Sequence, residues 1–122
     1  MKTYTLRPNL SLPKIYLYRK PVDFRKGHLG LGAIIEQELS HDPFSGTLYV
    51  FINRQHNKLK ALFWEDNGFV LYYKALAEEK FRWPQEEQTL LTITGEQMNW
   101  LLEGYDLSVM KAHKKLHYEA LC

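Results

Sequence analysis

The chain has 122 residues, 45% apolar and 25% charged, which fits one folded domain with a core of its own and excludes disorder as the default reading. Its single cysteine, Cys122, excludes a disulfide framework within the chain. No apolar run has the length of a membrane span and MKTYTLRPNL lacks a signal-peptide core, so the chain reads as soluble and cytoplasmic.

Net charge is +2, but its distribution is uneven. Lys2, Arg7, Lys14, Arg19, Lys20, Arg25 and Lys26 precede Gly30 against one acid, Asp23. The tail KAHKKLH, from Lys111 to His117, is basic as well. Such asymmetry suits a polyanion-facing region; the bland alternative is a solvated basic face.

Residues 1–13 hold Pro8 and Pro13, show no period and read as an N-terminal arm. Lys14 to Lys20 has strand chemistry, with Ile15 and Leu17 facing opposite Tyr16 and Tyr18, and Pro21 stops it. Leu31, Ile34, Ile35 and Leu39 recur at helical spacing, which predicts a helix starting between Gly27 and Gly30 and ending by Ser40. Asp42-Pro43-Phe44-Ser45-Gly46 is a turn.

From Thr47 the pattern becomes a meander. TLYVFIN is a central strand, and Leu59 to Glu65 and Phe69 to Lys74 flank an Asn67-Gly68 turn signal. Lys80 to Trp83 is expected to pair until Pro84, and Thr89 to Ile93 is a further short strand. Thr94 and Gln97 have capping-box spacing before a second helix with Met98, Leu101 and Leu102 on one side and Gly104 as its stop. The expectation is one α+β domain over 14–106: a mainly antiparallel meander of about five strands, with one or two helices packed on one face. A basic C-terminal tail, 107–122, follows.

Catalytic patterns are weak. Gly27, Gly30 and Gly32 match neither a dinucleotide fingerprint nor a P-loop. His113, His117 and Cys122 supply three ligands of the four a structural zinc needs, so no metal site and no cofactor are assigned. The serines sit in no nucleophile elbow, and Asp23, Asp42, Asp66 and Glu103 are scattered. No catalytic residue is assigned.

The remaining constellation is basic and aromatic. Lys60 and Trp64 share a strand face, and Tyr72 and Lys74 are expected beside them across the hairpin, with Arg82 joining from the next strand. Cations hold phosphates and aromatic planes accept stacked bases. Arg25 and Lys26, before a glycine-rich helix start, add a phosphate contact. The candidate nucleic-acid-binding set is Arg25, Lys26, Arg54, Lys58, Lys60, Trp64, Tyr72, Lys74 and Arg82. The competing reading packs Trp64 and Tyr72 under the second helix and leaves the lysines to solubilise an edge.

Six motifs in order carry a family resemblance: Asp23-Phe24-Arg25-Lys26-Gly27, Asp42-Pro43-Phe44-Ser45-Gly46, LYVFINR from Leu48, KLKALFWEDNGFVLYYK from Lys58, Phe81-Arg82-Trp83-Pro84 and Leu101-Leu102-Glu103-Gly104. They resemble the accessory family called TnpB, the second reading frame of bacterial insertion sequences of the family numbered 66. The likeness covers about 14–106. It departs at His28-Leu29 and in the arm before Lys14. It implies a non-catalytic accessory factor for DNA transposition, not an enzyme, beside a larger, separately encoded transposase. Its partners would be element DNA, the transposase or both. The alternative is a protein-interaction module, as a homodimer or transposase partner, without nucleic-acid contact.

Overall fold

The computed structural model describes residues 14–85 and 87–107. Among these residues five strands are formed: β1 (Ile15–Tyr18), β2 (Leu48–Ile52), β3 (Lys58–Glu65), β4 (Gly68–Ala75) and β5 (Leu90–Ile93). Helix α1 (His28–Ala33) runs into a π-helical turn, Ile34–Glu38, and α2 covers Gly95–Leu102. The architecture is α+β.

The strand order is β4-β3-β2-β1-β5. β2, β3 and β4 make an antiparallel meander, but β1 runs parallel to β2 and antiparallel to β5. The sheet is therefore mixed. Its one parallel pair follows from the α1 crossover, because a helix-length connection returns the chain in the same direction.

All five residues of β2 are buried, as a central strand requires. Tyr49 and Phe51 point to one face, with Tyr18, Leu31, Ile34, Ile35 and Leu62. Leu48, Val50 and Ile52 point to the other, with Ile15, Leu17, Met98, Leu101 and Leu102. Each face thus carries one helix, α1 on the first and α2 on the second. The expectation that the helices group on one face gives way here. A strand apolar on both sides leaves two faces to cover, and one helix covers only one.

Each helix ends where its sequence dictates. α2 starts on a complete capping box: Gln97 N donates to Thr94 Oγ1 at 3.1 Å, and Thr94 N donates to Gln97 Oε1 at 2.8 Å. It stops before Gly104, whose φ of 96° would strain any other residue. After α1 the helix widens: Leu39 N reaches Ile34 O, five residues back, at 3.2 Å. The widened turn carries Glu38, which accepts a hydrogen bond from the Tyr18 hydroxyl at the end of β1 at 2.6 Å. Burial, with that bond second, pushes Tyr18 up to about 12.

Two local expectations change. Lys80 to Trp83 joins no strand, since the edge beside β1 is taken by β5. Phe81 N instead donates to His56 O at 2.8 Å, and Phe81 and Trp83 enter the α2-side core. The hairpin turn lies on Asp66-Asn67, with Asp66 at φ 54°, and Gly68 already pairs with Glu65. Asp tolerates that left-handed backbone better than most residues do. Leu107, at the point where the tail was expected to begin, is buried in the α2-side core. The arm 1–13 and the tail beyond 107 lie outside the described residues, and with them His113, His117 and Cys122.

Candidate nucleic-acid interface

The β3–β4 register decides which hairpin residues share a surface. Trp64 stands opposite Phe69, Leu62 opposite Leu71, and Lys60 opposite Tyr73. Tyr72 stands opposite Ala61, and Lys74 opposite Leu59. Lys60 and Trp64 therefore lie on the α1 side, and Tyr72 and Lys74 on the α2 side. The expected single surface of Lys60, Trp64, Tyr72 and Lys74 does not exist. A two-residue turn makes partner numbers sum to an odd value, so even positions of one strand face odd positions of the other.

The two lysines are also committed. Lys60 Nζ donates to the carbonyls of Phe24 (3.0 Å) and Lys26 (2.8 Å). It lies 4.9 Å from the Phe24 ring centroid and 5.6 Å from that of Tyr73. Burial lowers its pKa, partly offset by Asp23. Lys74 Nζ donates to Leu102 O at 3.0 Å, satisfying a terminal carbonyl of α2. Tyr72 packs against the α2-side core. Trp64 is half-buried among Phe44 (5.0 Å between centroids) and Phe69 (5.1 Å). Arg82 is exposed and lines a different cleft, of about 610 Å³, beside β5 with Trp83 and Pro84.

Three other predicted cations do converge. Arg25, Arg54 and Lys58 line one cleft of about 460 Å³ between the loop after β1 and the loop joining β2 to β3. Pro21, Val22, Asp23, Asn53 and Tyr73 complete much of its wall. Lys26 is exposed next to Arg25, and its carbonyl is one of those held by Lys60.

One wall is tied to the sheet, and both are shaped by short-range hydrogen bonds. Val22 N donates to Ile52 O at 2.9 Å, tying the first loop to the end of β2. Asp23 accepts from Arg25 N (2.9 Å) and from the guanidinium Nε (2.9 Å). The Arg25 side-chain bond, more than the backbone one, pulls the Asp23 carboxyl down to about 2. Arg25 is nevertheless 91% exposed. The second loop turns around Asn53, a buried polar residue. Its Oδ1 accepts from Asn57 N and Lys58 N, both at 3.0 Å, and its Nδ2 donates to Asn57 Oδ1 at 2.7 Å. Asn favours such bonds to nearby backbone. His56 takes φ 62° in this loop, and burial, then Lys80, lowers its pKa.

Among the described residues the only ion pair is Arg25 with Asp23, so Arg54 and Lys58 have no carboxylate partner. The cleft therefore carries an excess of positive charge in a concave wall, which concentrates field on an anion. Two of its residues escape sequence reasoning. Asn53 is signalled by the Asn53/Asn57 spacing, a self-bonded loop pattern. Tyr73, grouped by strand parity with the core positions Leu59 and Ala61, is 51% exposed over Lys60.

The motif residues outside this set hold backbone. Gly27 is the N-cap of α1. Asp42 Oδ1 accepts from Phe44 N at 2.9 Å, Pro43 is buried, and Gly46 adopts φ 88°. Trp83 is buried, and its Nε1 donates to Arg19 O at 3.2 Å. Among the described residues no helix is long and apolar enough to cross a membrane, and no three His, Cys, Asp or Glu side chains gather as metal ligands.

Two curated relatives from Sinorhizobium fredii, both called uncharacterized proteins, are similar to the chain. Protein y4jC is 32% identical over 98 residues, covering 80% of this chain and 84% of the relative. Protein y4hO is 29% identical over 93 residues, covering 76% and 81%. No solved structure gives a significant match. The family model described as IS66 Orf2 like protein matches residues 13–112, and with so much of the chain inside it the protein belongs to the TnpB family of IS66 insertion sequences, a transposition-associated accessory family.

Proposed function

We propose that the protein is a non-catalytic accessory factor for transposition of an insertion sequence, and that it binds element DNA beside a separately encoded transposase. The observation that carries the DNA assignment is the cleft lined by Arg25, Arg54 and Lys58, where two cations have no carboxylate partner among the described residues. Unpaired cations in a concave wall are what a phosphodiester backbone requires. Lys26 extends the same rim. Lys60 supports it indirectly, by fixing the carbonyls of the first loop.

A salt-titrated binding assay on element-end DNA tests this reading. Affinity should fall steeply with salt, and removing Arg54 and Lys58 together should cut the slope of log affinity against log salt by about 2. A slope untouched by that double variant removes the cleft from the interface. Cleavage of the same DNA with magnesium or manganese is expected to be absent.

One observation favours a second reading. Phe44 is 54% exposed and packs beside the half-buried Trp64 and Phe69, an aromatic surface of the kind that anchors protein interfaces. In that reading the protein is an interaction module for a second copy or the transposase. Light scattering and a pull-down with the transposase separate the two: a stable complex lost in Phe44→Ala, with no gel shift at low salt, favours the interaction module.

A further inference from the structure

The geometry points to a single-stranded stretch of DNA, or a base turned out of a duplex, as the cleft's ligand, with one base stacked on Tyr73 and its phosphates held by Arg54, Lys58 and Arg25. This deepens the DNA-binding reading above and rests on it.

Among the described residues Tyr73 is the one aromatic residue that is both a lining residue of the cationic cleft and more than half exposed. An aromatic ring of that size normally buries most of its area. Its position is fixed from below. Lys60, its cross-strand partner, lies 5.6 Å from its ring centroid, and the same ammonium holds the Phe24 and Lys26 carbonyls. The Phe24 ring stands beside it at 6.4 Å, tilted by 56°. A ring seated on a cation and a second ring, with half its surface in solvent, is a platform for another flat group.

The cleft's dimensions select the form of the nucleic acid. A space of about 460 Å³ matches a small-molecule site and admits a nucleotide-sized group. A duplex is far wider, and would meet only the rim. In a duplex each base face is also already stacked on its neighbours, so an exposed ring gains nothing until a base leaves the stack. Single-strand sites combine these two elements: cations along the backbone and an aromatic plane under a base, with little sequence reading.

The test uses the full chain and two fluorescent probes, an oligothymidylate of about 15 nucleotides, within the ~4–16-nucleotide range of single-strand sites, and a duplex of equal length. Tyr73→Ala should weaken oligothymidylate binding by about tenfold or more and duplex binding by less than about twofold. Tyr73→Phe, which keeps the ring, should bind like the unaltered protein. A photocrosslink from a 5-iodouracil probe should map to Tyr73. If Tyr73→Ala lowers oligothymidylate binding by less than about twofold while Arg54→Ala still lowers it, the stacking assignment is overturned and the DNA-binding reading stands. If neither probe binds at low salt, both are overturned.

Discussion

The hairpin lysines and the cleft cations carry the same charge and do different things. Lys60 and Lys74 project from regular strands and end on backbone carbonyls, one in the loop before α1 and the other at the end of α2. Arg54 lies in the irregular loop turned by Asn53 and Lys58 at the first position of β3 beside it, and among the described residues neither meets a carboxylate. A strand fixes where its side chains emerge and so brings a lysine against whatever packs on that face. A surface loop presents its cations to solvent, where a ligand can take them. Counting basic residues therefore overstates the set free to take an anion; asking where each ammonium or guanidinium ends gives the smaller one.

The comparison breaks first at Lys60. Lys60→Met keeps the apolar stem and removes two charge-assisted hydrogen bonds, so denaturant unfolding should show a loss of about 2 kcal/mol. A loss below about 0.5 kcal/mol would mean that the ammonium does not hold the first loop. Lys74→Met removes one such bond at a helix end, and the expected loss is about 1 kcal/mol, read the same way. On the other side, Arg54→Ala and Lys58→Ala should each leave unfolding within about 0.5 kcal/mol of the unaltered protein. A larger loss would move those residues into the structural group.

The smallest effect belongs to Asp23, whose partner is itself a cleft cation. Its carboxyl is lowered from 3.8 to about 2 by Arg25, so the pair's contribution is present above pH ~4 and lost as pH falls through about 2. Carboxyl NMR should place the Asp23 inflection well below that of an ordinary Asp. Asp23→Asn should release Arg25 and raise DNA affinity by about twofold, in line with the modest weight of an exposed pair. An unshifted inflection would show the pair to be transient.

These contrasts also mark what the sequence can and cannot convey. The alternation in β1, the apolar run of β2, the stripe of Leu31, Ile34 and Ile35, and the Thr94/Gln97 box are local patterns, and each produces the element it predicts. The insertion of β1 between β2 and β5 is not local. It joins Tyr18 to Leu90, and nothing in the periodicity of either strand encodes that partner. The π-helical turn leaves the same apolar stripe as an α-helix would, so it too is silent. At the site, Arg25 and Arg54 were legible as basic loop residues and Lys58 as a basic residue where β3 begins; their convergence depends on Val22 reaching Ile52 O, a contact made by the fold. Trp64 and Tyr72 separate by parity alone, which the turn length dictates. Tyr73 reads as a core residue by alternation and is exposed because β4 is an outer strand of the sheet.

The pairing of β1 with β5 has a consequence for biosynthesis. Residues 15–18 leave the ribosome first, yet one of their two neighbours is made only when residue 93 is reached. The β2–β4 hairpins close locally and early, while β1 is left with an unpaired margin until the late strand docks. A nascent or truncated chain ending before β5 should thus expose Ile15 to Tyr18 to other chains, which makes integrity of the last quarter of the message a condition for solubility.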